Sequence, residues 1–212
     1  MPSLKPILCV SPLARCPPSA SSHFGDAASP TTSPLQAPPP TEVVPRLYIG
    51  DLAAAESPET LAALKITHVL SVMPGHVALP PPSALPHLRA RGQPALERMQ
   101  LPLTDTPFAE LAAALPHTTA FLAAALAAPH ARVLVHCVQG ISRSASVVAA
   151  YLVASAGCAP GTAVRAVQAA RPCAQPNPGF LAQLDDETAG CPRQHASYAA
   201  CFRSDRVQME SC

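Results

Sequence analysis

The sequence predicts an α/β fold: a central, mostly parallel sheet flanked by helices. Three observations carry this. Short apolar runs of strand length, among them Val69 to Val72 and Val133 to Val135, alternate along the chain with longer Ala- and Leu-rich stretches of helical length. Helix punctuation brackets those stretches, with Ser57-Pro58 and Asn177-Pro178 at starts and Gly157 at an end. Finally, one strand-like run passes through a small, neutral, glycine-containing turn straight into a helical run, and parallel sheets bind ligands at the carboxyl ends of such strands.

Taken in order, Met1 to Pro40 is dense in Pro, Ser, Ala and Thr without hydrophobic periodicity, so residues 1–40 are expected to form a flexible tail. A domain over 41–190 follows. Ser57 caps a helix with Pro58 at its first position, running toward Lys65, and Val69, Leu70 and Val72 make a buried strand. Met73 to Arg98 is Pro-rich and is expected to bulge from the surface as an insertion. Met99 to Leu103 returns as a strand, an Ala-rich helix runs to Ala128, and Arg132 to His136 is the central strand. The next helix, Ser144 to Ala156, has an apolar face of Val147, Val148, Tyr151 and Leu152 and is closed by Gly157. Pro160 to Ala170 is another helix, and Asn177 caps a last one bearing Phe180, Leu181 and Leu184. Residues 191–212 lose periodicity and are expected to be a second tail.

With 212 residues, 49% hydrophobic content and a net charge of +1, the chain can bury one core and has no electrostatic pull toward nucleic acid. No membrane span is expected: the best stretch, Leu111 to Ala128, is interrupted by Pro116 and His117. Eight cysteines would suit a secreted disulfide scaffold, but Met1 to Ala20 lacks the pattern of a secretory leader. A reducing compartment is therefore expected, the cytoplasm and also the nucleus. No Cys-x-x-Cys spacing is present, so no metal is expected; nor is any cofactor, and the chain is read as a monomer.

The chemistry concentrates in His136-Cys137-Val138-Gln139-Gly140-Ile141-Ser142-Arg143-Ser144. Peptide N–H groups of Val138, Gln139, Gly140, Ile141, Ser142 and Arg143 can converge on one anion, and the helix that follows adds the positive end of its dipole. The same field favours the Cys137 thiolate, drawing its pKa below the ordinary value of about 8.5. The planar guanidinium of Arg143 suits the equatorial oxygens of a phosphoryl group. A lone buried Cys is ordinarily a small hydrophobe. Here it stands at fixed offsets from Gly140, Arg143 and Ser144.

His-Cys, five residues, then Arg and Ser is the signature of the protein tyrosine phosphatase superfamily, and this chain resembles it at every fixed position. The segments Val44-Pro-Arg-Leu-Tyr-Ile-Gly-Asp-Leu, Ile66-Thr-His-Val-Leu-Ser-Val, Arg171 and Pro176-Asn-Pro-Gly-Phe-Leu-Ala-Gln-Leu resemble its small dual-specificity branch. The resemblance covers residues 41 to 187. It implies that Cys137 is the nucleophile, that Ser144 eases departure of the sulfur, and that His136 orients the loop. Asp105, in Leu-Pro-Leu-Thr-Asp-Thr-Pro, would be the acid and then the base; capping of the next helix is the competing reading. Asn177 would brace the cradle backbone, or serve only as a cap.

The function implied is a cysteine-dependent phosphatase acting on phosphotyrosine and phosphoserine or phosphothreonine in a protein substrate, through a phosphocysteine. Two alternatives stand beside it: a phosphatase of phosphoinositides, RNA ends or glycans, and an inactive phosphate-binding module. No Lys or Arg lies between Cys137 and Arg143 to meet the extra charges of an inositol phosphate.

Overall fold

A hairpin sets one edge of the sheet. In a computed structural model that describes residues 38–190, with side chains to residue 186, Thr41–Val44 (β1) turns through Pro45 and Arg46 into Leu47–Gly50 (β2). Three further strands follow, His68–Val72 (β3), Glu97–Leu101 (β4) and Val133–His136 (β5). Their order is β1-β2-β5-β3-β4, with β1 antiparallel to β2 and every other pairing parallel. The predicted, mostly parallel α/β architecture is thus present, with one antiparallel edge. The predicted tails, apart from residues 38–40, lie outside the described residues.

Strand β5 is central, and all four of its residues are buried. That is why Val-Leu-Val reads as a continuous apolar run, for a parallel strand is covered on both faces. Side chains alternate between two cores. Leu47, Ile49, Leu70, Val72, Val133 and Val135 face the larger cluster, while Tyr48, Val69 and Leu134 face the smaller.

Among the described residues, seven α-helices clothe the sheet: Leu52–Glu56 (α1), Pro58–Ala63 (α2), Pro86–Arg89 (α3), Leu115–Ala127 (α4), Arg143–Ala156 (α5), Pro160–Ala170 (α6) and Pro178–Gly190 (α7). Helix α4 is entered through a 3-10 turn, Ala112–Ala114, so Pro116 falls in its first turn, where its missing N–H costs nothing. Helix α5 ends on Gly157 at φ 64°, the left-handed stop that the sequence predicted. Arg46, itself at φ 70°, donates to the carbonyls of Leu126 and Ala128 at 2.9 and 2.6 Å, placing a cation on the negative end of α4.

Three expectations need correction. Helix α1 was not foreseen, although Asp51 caps it by accepting the N–H of Ala54 at 2.8 Å. Strand β4 starts two residues earlier than predicted, because Glu97 pairs with His68. The Pro-rich stretch 73–98 does not simply bulge outward. Its prolines 82 and 86 start a 3-10 turn and α3, and Leu85 and Leu88 are wholly buried with Ile66 and Leu61 in the smaller core. Two buried leucines contribute roughly 1.5–3 kcal/mol each, enough to hold a short helix that could not persist alone. Among the described residues, no helix is long and apolar enough to cross a membrane.

Candidate active site

The junction between β5 and α5 forms a loop whose carbonyls are pulled outward. Leu52 N–H donates to the Val138 carbonyl at 3.2 Å and Gln175 N–H to that of Ile141 at 2.8 Å. The Arg171 Nε–H donates to the Gly140 carbonyl at 2.9 Å. Each trans peptide holds its C=O and the next N–H on opposite sides. Pinning those three carbonyls outward therefore turns the N–H groups of Gln139, Ile141 and Ser142 toward the centre of the loop. With the first turn of α5 behind it, the loop is an anion cradle.

Gly140 is indispensable to that shape. It sits at φ 69°, and a Cβ there would lie 2.5 Å from the Gly50 carbonyl oxygen and 2.9 Å from Arg171 Nη2. Backbone thus touches backbone where the end of β2 meets the cradle.

Cys137 lies at the floor, 1% exposed. Gly140 N–H donates to its sulfur at 3.2 Å and the Ser144 hydroxyl at 3.4 Å. Burial pushes the thiol pKa up, but the Ser144 hydroxyl and N–H, the Gly140 N–H and the Arg143 charge together outweigh it and hold the thiol below its ordinary value. His136, wholly buried, has its pKa lowered chiefly by burial and is neutral at pH 7. Its Nδ1 faces the Cys137 carbonyl at 3.2 Å, which can only accept, so Nδ1 carries the proton. Nε2 then accepts from the Ser71 hydroxyl at 2.7 Å. His136 thus ties the Cys137 carbonyl to Ser71 of β3 through hydrogen bonds and without charge.

Arg143 bridges the cradle to the segment before α4. Its side chain is 10% exposed, Nη1–H donates to the Leu103 carbonyl at 3.3 Å, and Nε stands 3.6 Å from Asp105 Oδ2. Nε has no hydrogen-bond partner among the described residues. A buried donor left open in the cradle is what a phosphate oxygen requires.

Asp105 joins this group. Its Oδ1 accepts from the Ser142 hydroxyl at 2.7 Å and from Asn177 Nδ2–H at 2.8 Å. The helix-cap reading of Asp105 fails, since the next helical turn has no side-chain cap. With two donors on Oδ1, a proton carried by this carboxyl sits on Oδ2, which stands 3.6 Å from Arg143 Nε.

One site residue acts differently from expectation. Asn177 does not brace the cradle backbone with its side chain. Its Oδ1 caps α7 by accepting Phe180 N–H at 3.0 Å, while its Nδ2 serves Asp105. The Ser142 hydroxyl turns away from the cradle centre, donating to Asp105 and accepting Asn177 N–H at 3.1 Å, so Ser142 offers an anion only its backbone. Val138 and Gln139 are exposed at the mouth, and Ile141 is half-buried.

Arg171 is the chief functional residue to which the sequence reading gave no role. It is 1% exposed, and besides Gly140 its guanidinium reaches the Pro39 carbonyl and the Thr41 hydroxyl at 3.0 and 3.1 Å. A signal existed: Ala163, Val164 and Val167 form the buried stripe of α6, and Arg171 continues it at the next four-residue step. An arginine on an inward stripe must be paired.

The family model for "Dual specificity phosphatase, catalytic domain" matches residues 47–188. Human dual specificity phosphatase 28 is 37% identical over 158 residues, covering 74% of this chain and 80% of that protein. Mouse dual specificity protein phosphatase 13B is 38% identical over 143 residues, covering 68% and 69%. The crystal structure of human DUSP28 superimposes with a TM-score of 0.61 at 35% identity, over 74% of this chain and 96% of that one. A phosphate-sized loop alone could arise on unrelated folds, but a match running unbroken from the second strand to the last helix could not: this chain belongs to the dual-specificity phosphatase family.

Proposed function

We propose that this phosphatase acts on phosphorylated proteins, at phosphotyrosine and at phosphoserine or phosphothreonine, through a phosphocysteine on Cys137. The observation that carries the proposal is the pairing of a sulfur bonded by Gly140 N–H and Ser144 Oγ with a carboxyl, Asp105, 3.6 Å from the arginine of the same cradle. In the first step the Cys137 thiolate attacks phosphorus as the P–O bond to the leaving group breaks. The proton on Asp105 Oδ2 goes to the departing oxygen, a contribution of about 10²–10⁴-fold for general acids. Cradle N–H groups and Arg143 take up the charge on the three equatorial oxygens. In the second step water attacks the phosphocysteine, Asp105 accepts its proton, and the S–P bond breaks to return the thiolate, stabilised as it leaves by Ser144 and Gly140.

Protein substrates are favoured over polyanionic ones by the composition of the mouth. Val138 to Ser142 contain no cation, and two of the large hydrophobics exposed among the described residues are Val138, at 45%, and Phe108, at 92%, three positions beyond Asp105. A mouth without cations, carrying the exposed apolar Val138, suits a polypeptide flanking the phosphorylated residue better than a cluster of further phosphates. Turnover of phosphopeptides, a phosphoinositide and a 5′-phosphorylated RNA at matched concentrations tests this. The expected result is hydrolysis of phosphopeptides above the others, abolished in Cys137→Ser; a higher kcat/KM on the phosphoinositide or the RNA would contradict it.

A further inference from the structure

Helix α7 contains a glycine for which its helical geometry gives no reason. Gly179 follows Pro178 in the first turn and has no left-handed φ, and glycine is among the poorest helix formers. The reason is spatial. A Cβ on Gly179 would be driven into the Pro107 carbonyl oxygen, and it would lie 2.6 Å from both the carbonyl carbon and the Cα of Pro107. All three nearest atoms are backbone of one residue, two positions beyond Asp105, and none can swing aside as a side-chain tip could.

This contact does not stand alone. Before it, Asn177 Nδ2–H donates to Asp105 Oδ1 at 2.8 Å. After it, Gln183 Nε2–H donates to the Ala109 carbonyl at 2.9 Å, while Gln183 Oε1 accepts Ala112 N–H at 2.9 Å. The segment from Asp105 to Ala112 is thus laid along the start of α7, from its cap to Gln183.

We propose that Gly179 and Gln183 are positioning residues for the proton donor: the bare Cα of Gly179 seats the Pro107 backbone, Gln183 ties down the loop beyond it, and together they hold Asp105 against the cradle. The inference rests on the reading of Asp105 as the general acid. Without the seat the Cys137 sulfur keeps its surroundings, since Cys137 and Ser144 are carried by the ends of β5 and α5 and the sulfur is bonded from within the cradle by Gly140 N–H and the Ser144 hydroxyl. The loss must therefore fall on proton donation and on little else.

The test uses the full chain and a series of aryl phosphates, from unsubstituted phenyl phosphate, whose phenol has a pKa of about 10, to strongly activated esters. Gly179→Ala is expected to lower kcat/KM tenfold or more on phenyl phosphate, to leave activated esters within about twofold, and to leave the pH midpoint of Cys137 alkylation unchanged. In an Asp105→Asn background, which already lacks the donor, Gly179→Ala is expected to cause no further loss. Gln183→Leu should repeat the pattern, and it carries the test if Gly179→Ala does not fold. Equal losses across all leaving groups, losses that multiply in the Asp105→Asn background, or wild-type behaviour of both variants would overturn the proposal. Should Asp105→Asn itself leave the leaving-group dependence unchanged, the acid assignment falls first and the seat has nothing to position.

Discussion

Gly140 and Gly157 have nearly the same backbone, φ 69° and φ 64°, but opposite surroundings. A Cβ on Gly157 would meet nothing within 4 Å, whereas one on Gly140 would lie 2.5 Å from the Gly50 carbonyl oxygen. Substituting alanine at both positions therefore separates strain from crowding. Each variant takes on a left-handed alanine, a destabilisation of about 1–2 kcal/mol. Only Gly140→Ala must also open a C···O contact to the ordinary 3.3 Å or more, a displacement of roughly 0.8 Å. The cradle has to yield, and with it the Gly140 N–H bond to the Cys137 sulfur. A misplacement of about 1 Å at a reacting centre costs on the order of 10²-fold, equivalent to about 2.7 kcal/mol of transition-state stabilisation. The assay is kcat/KM on an activated aryl phosphate beside thermal melting and the pH midpoint of iodoacetate alkylation. Gly157→Ala should melt a few degrees lower with full activity. Gly140→Ala should lose about 100-fold in kcat/KM and alkylate at a higher pH midpoint. Equal, small stability losses with activity intact in both would refute the claim that the Gly50–Gly140 contact sets the cradle.

Further outcomes follow from individual contacts. Ser144→Ala should raise the alkylation midpoint of Cys137 by about one pH unit, because a hydrogen bond to a charged group contributes roughly 1.5 kcal/mol or more and its loss disfavours the thiolate. His136, buried with a lowered pKa, takes up a proton more readily in the unfolded chain than in the native one. Its contribution to stability is thus intact above the ordinary His value and is lost as pH falls below about 6.5, at up to about 1.4 kcal/mol per pH unit; denaturant midpoints between pH 7.5 and 5.5 measure this slope, which should shrink in His136→Asn. Leu88→Ala should cost about 2–5 kcal/mol in chemical denaturation while the folded fraction keeps its kcat/KM, since Leu88 lies in the smaller core; a loss below about 1 kcal/mol would return the 73–98 stretch to the surface.

What the sequence discloses and what it conceals divide by chain distance. The cradle was legible because its chemistry is local: thiol, glycine, arginine and hydroxyl fall between Cys137 and Ser144, where a recognisable strand passes into a recognisable helix. Strand β5 and helices α5 and α6 were legible because burial on both faces, a left-handed glycine stop and an N-terminal proline leave local marks. Arg171 carried no such mark by itself, for its partners Gly140 and Pro39 lie 31 and 132 positions away. Ser71, 65 positions from His136, was equally silent. The region 73–98 misled for a different reason. Its many prolines suggest a surface bulge, yet Pro82 and Pro86 occupy helix starts, where the ring favours the turn, and the spacing of Leu85 and Leu88 is the signal of burial. Asn177 admitted a cap and a site role at once because its amide has two ends, and the fold uses both.

The account depends on a covalent bond between phosphorus and the Cys137 sulfur. Rapid acid quenching of the wild-type protein during turnover of a good aryl phosphate, followed by peptide mass spectrometry, tests that bond directly. The predicted result is a mass increase of one phosphoryl group on the peptide containing Cys137, absent in Cys137→Ser and more abundant in Ser144→Ala, where departure of the sulfur is slowed. Sustained turnover with no phosphoryl adduct on that peptide in either the wild-type protein or Ser144→Ala would contradict the account.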